Sequence, residues 1–92
     1  MMKIKEEYIL QNIADKWIVI DTNAKSVNFN RILSLNNSGK FLWERLEVGA
    51  EQDDLVNALM EEFKIDKESA QSDVEKFINK LKEMECVNYE KE

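Results

Sequence analysis

Residues 27–43 read VNFNRILSLNNSGKFLW, and the fold turns on how that stretch is parsed. Val27, Phe29, Leu33 and Leu35 fall on one face of an extended chain; Ser26, Asn28, Asn30 and Ser34 fall on the other. This period of two marks a strand with one buried and one wet face. At Asn36 the composition changes. Two asparagines, Ser38 and Gly39 lead into Phe41, Leu42, Trp43 and Leu46, the opening of a helix. A sheet ends here and a helical layer begins. A strand at the margin of a sheet carries unpaired N–H and C=O groups, which form a template for another strand.

Upstream, Tyr8 to Ile13 reads as a first strand, with Ala14-Asp15-Lys16 as a tight connection. Trp17 to Ile20 is a second strand, β-branched and aromatic. It is apolar on both faces, which places it mid-sheet or under a covering layer. Asp21 to Ala24 supplies turn chemistry, with Asn23 able to take positive φ. Three strands on short connections make an antiparallel meander, with residues 27–35 as its third member.

Downstream the period becomes helical. Asn36 or Asn37 caps a first helix, since an Asn side chain accepts from free N–H groups of the first turn. Leu42, Trp43 and Leu46 share an arc that Phe41 leaves, and Gly39 permits a close approach. Gly49 ends the helix in a left-handed cap. A second helix runs from about Glu51 to Phe63, with Glu51, Asp53 and Asp54 where the dipole favours acids. Its stripe is Leu55, Leu59 and Phe63, with Val56 and Met60 beside them. After a break at Lys64-Ile65, Asp66 caps a third helix, Lys67 to Met84, with the stripe Ala70, Val74, Phe77, Ile78, Leu81 and Met84. Asp73, Lys76 and Lys80 flank its Phe77/Met84 edge. Glu85 stands where a capping glycine is common, and Cys86, Val87 and Tyr89 tack the chain down. Residues 90–92 are expected to fray. The expectation is one α+β domain over residues 1–92, ordered from about 8 to 87. It is winged-helix-like, a three-stranded antiparallel sheet followed by three helices.

Composition narrows the chemistry. The chain has no His, no Pro, two Gly and a single Cys. One thiol without histidine builds neither a zinc site nor an iron–sulfur cluster, and isolated glycines build no phosphate loop. No cofactor and no metal are therefore expected. A lone Cys86 and an N-terminus without a signal-peptide core point to the cytoplasm. The longest apolar run, Trp17–Ile20, is far too short to span a membrane. Net charge is −6. Residues 51–92 hold six Lys/Arg against thirteen Asp/Glu, whereas residues 1–50 hold seven against six. An acidic helical half repels phosphates, which argues against nucleic acid and anionic membranes.

Three constellations invite chemistry, and each has a plainer reading. The second and third helices resemble a helix-turn-helix, but the outer face of the third carries Glu68, Glu75 and Glu83 beside Lys67. The acids at Glu51/Asp53/Asp54 and Glu61/Glu62 lie at a helix start and on a solvated face, without the burial that splits carboxylate pKa values. Cys86 has no His to act as base and is expected in the core, as are Trp17 and Trp43. The strand at 27–35 is different. It lacks Pro, its outward residues are small and polar, and only Lys25 and Arg31 resemble edge-blunting charges. Two readings stay open: a margin free for a guest strand, or an ordinary edge, such as one covered by the N-terminus.

The pieces Phe29-Asn30 and Leu35-Asn36-x-x-Gly39-x-Phe41-Leu42-Trp43, with Asp73 to Leu81 (DVEKFINKL), resemble the PqqD-like family. Its members are the small peptide chaperones of pyrroloquinoline quinone biosynthesis and the related recognition elements of ribosomally made, modified peptides. The resemblance spans roughly Tyr8 to Val87. It departs at Glu51, where Ser or Thr is usual, and at Glu85, where Gly is usual; both are capping positions. The resemblance implies a protein that is not an enzyme. Such a protein binds the leader of a precursor peptide and presents it to a modifying enzyme, often a radical S-adenosylmethionine (radical SAM) enzyme. The leader is held as an added strand along the third strand, against the last helix. Carried onto this chain, the site comprises Asn28, Phe29, Asn30, Arg31, Ile32, Leu33, Ser34 and Leu35 on the strand. Asp73, Lys76, Phe77, Lys80, Leu81 and Met84 face it from the helix. The alternatives are a DNA-binding winged helix and a homo-oligomerising module that uses the same edge on itself.

Overall fold

A computed structural model of the chain describes residues 1–22 and 33–89. In chain order its elements are β1 (Met2–Ile4), β2 (Tyr8–Ile13), β3 (Lys16–Asp21), β4 (Leu33–Leu35), α1 (Asn37–Val48), α2 (Gln52–Phe63), α3 (Lys67–Glu83) and β5 (Val87–Tyr89). The expected α+β architecture is present, with the antiparallel sheet β2-β3-β4 followed by three helices. The first six residues of the 27–35 strand lie outside the described residues; its end, Leu33–Leu35, is β4.

The β2–β3 hairpin pairs without interruption from Tyr8↔Asp21 to Ile13↔Lys16. Its two-residue loop places Ala14 at φ 52° and Asp15 at φ 66°. Paired positive φ values suit the right-handed twist of a hairpin, although Asn-Gly occupies such loops at lower cost. At the other end, the Thr22 backbone N–H and hydroxyl both donate to the Glu7 carbonyl at 2.7 Å.

Each helix starts where its sequence supplies an acceptor. Asn36 caps α1 by accepting from the Gly39 N–H at 2.8 Å. Asp54 Oδ2 accepts from the Glu51 N–H at 3.1 Å, so the acidic start of α2 works as one arm of a capping box. Asp66 Oδ1 accepts from the Ser69 N–H at 2.8 Å, and that bond holds the Asp66 carboxyl below its ordinary pKa. The end of α3 is a Schellman motif: the Glu85 N–H donates to Lys82 O at 3.1 Å and the Cys86 N–H to Leu81 O at 3.0 Å. Glu85 sits at φ 58°. The glycine's conformation is kept without the glycine, at a cost of roughly 1 kcal/mol.

A second sheet is absent from the sequence reading. β1 pairs antiparallel with β5, Met2 opposite Tyr89 and Ile4 opposite Val87. On its other side the Met2 N–H donates to Ala50 O at 3.0 Å and the Ala50 N–H returns to Met2 O at 2.9 Å. The Met1 ammonium meets Glu51 at 3.1 Å. The N-terminal stretch thus stitches the helix connection to the chain's end.

The core forms where the helical stripes meet one face of the sheet. Leu46, Leu55, Leu59, Val74 and Leu81 are fully enclosed, with Val19 and Leu33 from the sheet and Ile4 from β1. Among the described residues no polar or charged side chain is buried. Trp43 is 0 % exposed and its Nε1 lacks a hydrogen-bond partner. That orphan donor costs about 1–3 kcal/mol. Enclosing roughly 200 Å² of indole at about 25 cal/mol per Å² contributes ~5 kcal/mol, so packing wins. Phe63 departs from its expected stripe. It ends α2 at the surface, 38 % exposed, and meets Phe41 edge to face at 5.6 Å. No helix among the described residues is long and apolar enough to cross a membrane.

Candidate functional site

β4 hydrogen-bonds β3 on one side, in the register Trp17↔Leu35, Ile18↔Ser34 and Val19↔Leu33. Among the described residues no strand lies on its other side. The N-terminal arm, a possible cover, is committed to β5 and Ala50 instead. Beside β4 lies a groove of about 620 Å³. Leu33, Ser34 and Leu35 form one wall and Phe77 and Lys80 of α3 the other. The end of the β2–β3 hairpin (Asp15, Lys16, Trp17) and the start of α1 (Asn36, Asn37, Gly39) close it off.

The sequence explains each wall. Ser34 points outward and is exposed, Leu33 is 2 % exposed, and Leu35 is half-buried. A Cβ at Gly39 would sit 3.2 Å from Asn36 Oδ1 and 3.3 Å from Leu35 Cδ2, so both side chains would have to give by a few tenths of an ångström. The close approach that a glycine suggested is therefore between the first turn of α1 and the end of β4. Phe77 is half-buried at the margin of the α3 stripe, and Lys80 is exposed one turn on.

The fourteen sequence-derived positions separate into groups. Asn28, Phe29, Asn30, Arg31 and Ile32 lie outside the described residues. Leu33, Ser34, Leu35, Phe77 and Lys80 come together at the groove. Asp73 lines an adjoining cleft of about 350 Å³ with Phe63 and Ile65, joined to the groove through Asn36 and Asn37. Lys76 is exposed on α3 but does not line the groove. Met84 is half-buried at the helix end, and its carbonyl accepts from the Tyr8 hydroxyl at 3.4 Å. Leu81 corrects the expectation: at 0 % exposure it is wholly inside the core, because it sits at the middle of the stripe. It supports the groove from behind and presents nothing to a guest.

Trp17 was expected in the core. It is half-buried, and it lines the groove opposite Leu35. Lys40 Nζ lies 4.6 Å from its ring centroid and pairs with Glu44 at 3.0 Å, so a cation–π contact steadies the indole. The signal existed in the sequence only as a register. Once Leu35 is known to pair with Trp17, the alternation of β3 puts the ring on the groove side. A half-exposed Trp, a Phe and the two lysines Lys16 and Lys80, beside a strand margin unpaired among the described residues, can offer main-chain hydrogen bonds, apolar contact and positive charge.

Comparisons with known proteins agree on the architecture. The family model for coenzyme PQQ synthesis protein D (PqqD) matches residues 7–87. TbiB1, solved in complex with the TbiA(beta) leader peptide, superposes with a TM-score of 0.74 at 20% identity, covering 98% of this chain and 99% of that one. A lasso peptide synthetase B1, complexed with its leader peptide, superposes with a TM-score of 0.73 at 17% identity, covering 96% and 98%. At these identities the likeness is one of fold. No curated protein sequence matches.

Proposed function

The chain belongs to the PqqD family, and from that premise we infer that it is a peptide-recognition protein with no chemistry of its own. It binds the leader of a ribosomally made precursor peptide and presents it to a modifying enzyme, of the radical SAM class by family likeness. The leader adds as a strand to the margin of β4, within the groove that α3 overlooks. The observation that carries this reading is the unclaimed side of β4 among the described residues, beside Trp17, Phe77 and Lys80. Strand addition takes affinity from main-chain hydrogen bonds and specificity from side-chain pockets. Here Trp17 and Phe77 supply apolar contact, while Lys80 favours a leader carboxylate. Both neighbours of similar fold were solved with leader peptides, which supports this use of the groove.

The test is a titration of the ¹⁵N-labelled protein with a synthetic leader peptide, the TbiA(beta) leader serving as the first probe. Amides of Leu33–Leu35 and Lys80 and the indole of Trp17 should shift together, while the indole of enclosed Trp43 stays still. Unmoved β4 amides at saturating peptide would refute the placement. The DNA-binding alternative gains nothing from the structure. The exposed face of α3 carries Glu68, Glu75 and Glu83, and acids there oppose phosphate contact.

A further inference from the structure

The groove beside β4 does not end with the strand. Past Leu35 it continues, over Asn36 and Asn37, into the adjoining cleft of about 350 Å³. The apolar lining of that cleft is Leu59 and Phe63 from α2 and Ile65 from the connection to α3. Phe63, which the core does not receive, is 38 % exposed there. Among the described residues the one charged group lining the cleft is Asp73 of α3, an exposed side chain with no cation paired to it. Asp73 lies beyond the first turn of α3, which starts at Lys67. The helix dipole, which favours acids only in that turn, does not account for it.

The groove itself carries the opposite sign. Lys16 and Lys80 line it against a single acid, Asp15. One continuous channel thus turns from net positive beside β4 to negative past the strand's end. An apolar lining with one carboxylate suits a side chain that has an aliphatic stem and a cationic head. Leu59, Phe63 and Ile65 take the stem out of water while the head meets Asp73. Arginine meets both needs most fully, because its guanidinium pairs a carboxylate through two hydrogen bonds and stacks on aromatic rings. An acidic side chain in the same place would oppose Asp73 across a partly apolar site, where like charges cost most.

We propose that this cleft takes a basic side chain of the leader, and that the leader's charges therefore run in a fixed order. The inference rests on the leader-binding reading and adds the order to it. β4 runs from Leu33 to Leu35, toward the cleft. A guest that continues the antiparallel meander runs the other way, so its residues at the cleft precede those that pair with β4. Asp73 and Lys80 stand about two helical turns apart along one side of α3, roughly 10.5 Å at 1.5 Å per residue. An extended guest covers that distance in about three residues, at ~3.4 Å each. The leader thus carries a basic residue about three positions before an acidic one, the first at Asp73 and the second at Lys80. Two opposite charges in a set order fix the register of a strand whose main-chain bonds alone do not.

The experiment uses the full chain and two synthetic strand peptides of equal composition, valine and threonine throughout except for one arginine and one glutamate. In the first, arginine precedes glutamate by the spacing above; in the second the two are exchanged. The first should bind about tenfold more tightly in an anisotropy titration. Asp73→Asn, an isosteric change at an exposed position, should abolish that preference while the amides of Leu33–Leu35 still shift, which also reports an intact fold. Asp73→Lys should instead prefer a third peptide with glutamate in the arginine's place, a gain that loss of structure cannot produce. Equal affinity for the first two peptides, or a preference that survives Asp73→Asn, would overturn the cleft assignment and leave strand addition standing. Tighter binding of the exchanged peptide would overturn the order. Amides of β4 that move with the TbiA(beta) leader but with none of the strand peptides would overturn this inference alone. Amides that move with no peptide at all would remove the leader-binding reading with it.

Discussion

β1 and β4 are both strands of three residues, yet their backbones are satisfied differently. β1 has β5 on one side and Ala50 on the other, and its Met2 and Ile4 are buried at 5% and 6% exposure. β4 has β3 alone among the described residues, and its outward Ser34 is exposed. Unpaired backbone groups are tolerated only where water or a partner can reach them. Among the described residues, β1 is closed between β5 and Ala50, whereas β4 is left facing a groove. The difference teaches that openness here does not follow from a shortage of chain. An N-terminal arm was available and is used elsewhere.

That contrast can be broken most forcefully at β1. Ile4→Ala should lower unfolding free energy in urea by about 2–4 kcal/mol, as buried aliphatic truncations do, while leader affinity of the folded fraction is unchanged. A loss of leader affinity at saturating folded protein would mean that β1 belongs to the binding site. The converse change is Trp17→Ala. It should weaken leader binding ~30-fold in an anisotropy titration, the size expected of a hot-spot Trp. Its unfolding midpoint should move less than that of Ile4→Ala.

Charge sharpens the groove side. Lys80→Glu should weaken an acidic leader about tenfold, and Lys76→Glu should stay within twofold, since of these two lysines Lys80 lines the groove and Lys76 does not. Equal losses would make the effect long-range steering rather than contact, and high salt would then erase both. The smallest expected effect is at the hairpin that supports β4. Ala14 holds φ 52° without a side chain suited to it, so Ala14→Asn should stabilise by ~0.5 kcal/mol and leave leader affinity alone.

Much of this fold can be read by eye because the physics is local. The stripes of α2 and α3 match buried Leu55, Leu59, Val74, Ile78 and Leu81. Asn36 and Asp66 cap where an acceptor precedes a helical period. The candidate site was legible in part. Phe77 and Lys80 could be placed from helical spacing, and the same spacing put Leu81 at the middle of the stripe, where core packing is favoured over contact with a guest, whereas Trp17 could not be separated from core. The Trp17 assignment depends on which residue of β4 it pairs with, and no pattern along one strand contains that register. Phe63 misled for a different reason: its period is right, but the α2 stripe runs out at the helix end, where Phe41 rather than the core receives the ring.

The amino-acid order by itself determined the β2-β3-β4 meander, the three helices, the caps at Asn36 and Asp66 and the acidic bias that disfavours phosphates. Each of these is settled by residues within a few positions of one another or by simple totals. Only the tertiary structure decided that Met2–Ile4 crosses to Val87–Tyr89, that β4 is the sheet margin among the described residues, beside Phe77 and Lys80, and that Trp17 lines the groove there instead of the core. Those outcomes join segments far apart in the chain. They are chosen by the free energy of the whole packed arrangement, to which no local pattern has access.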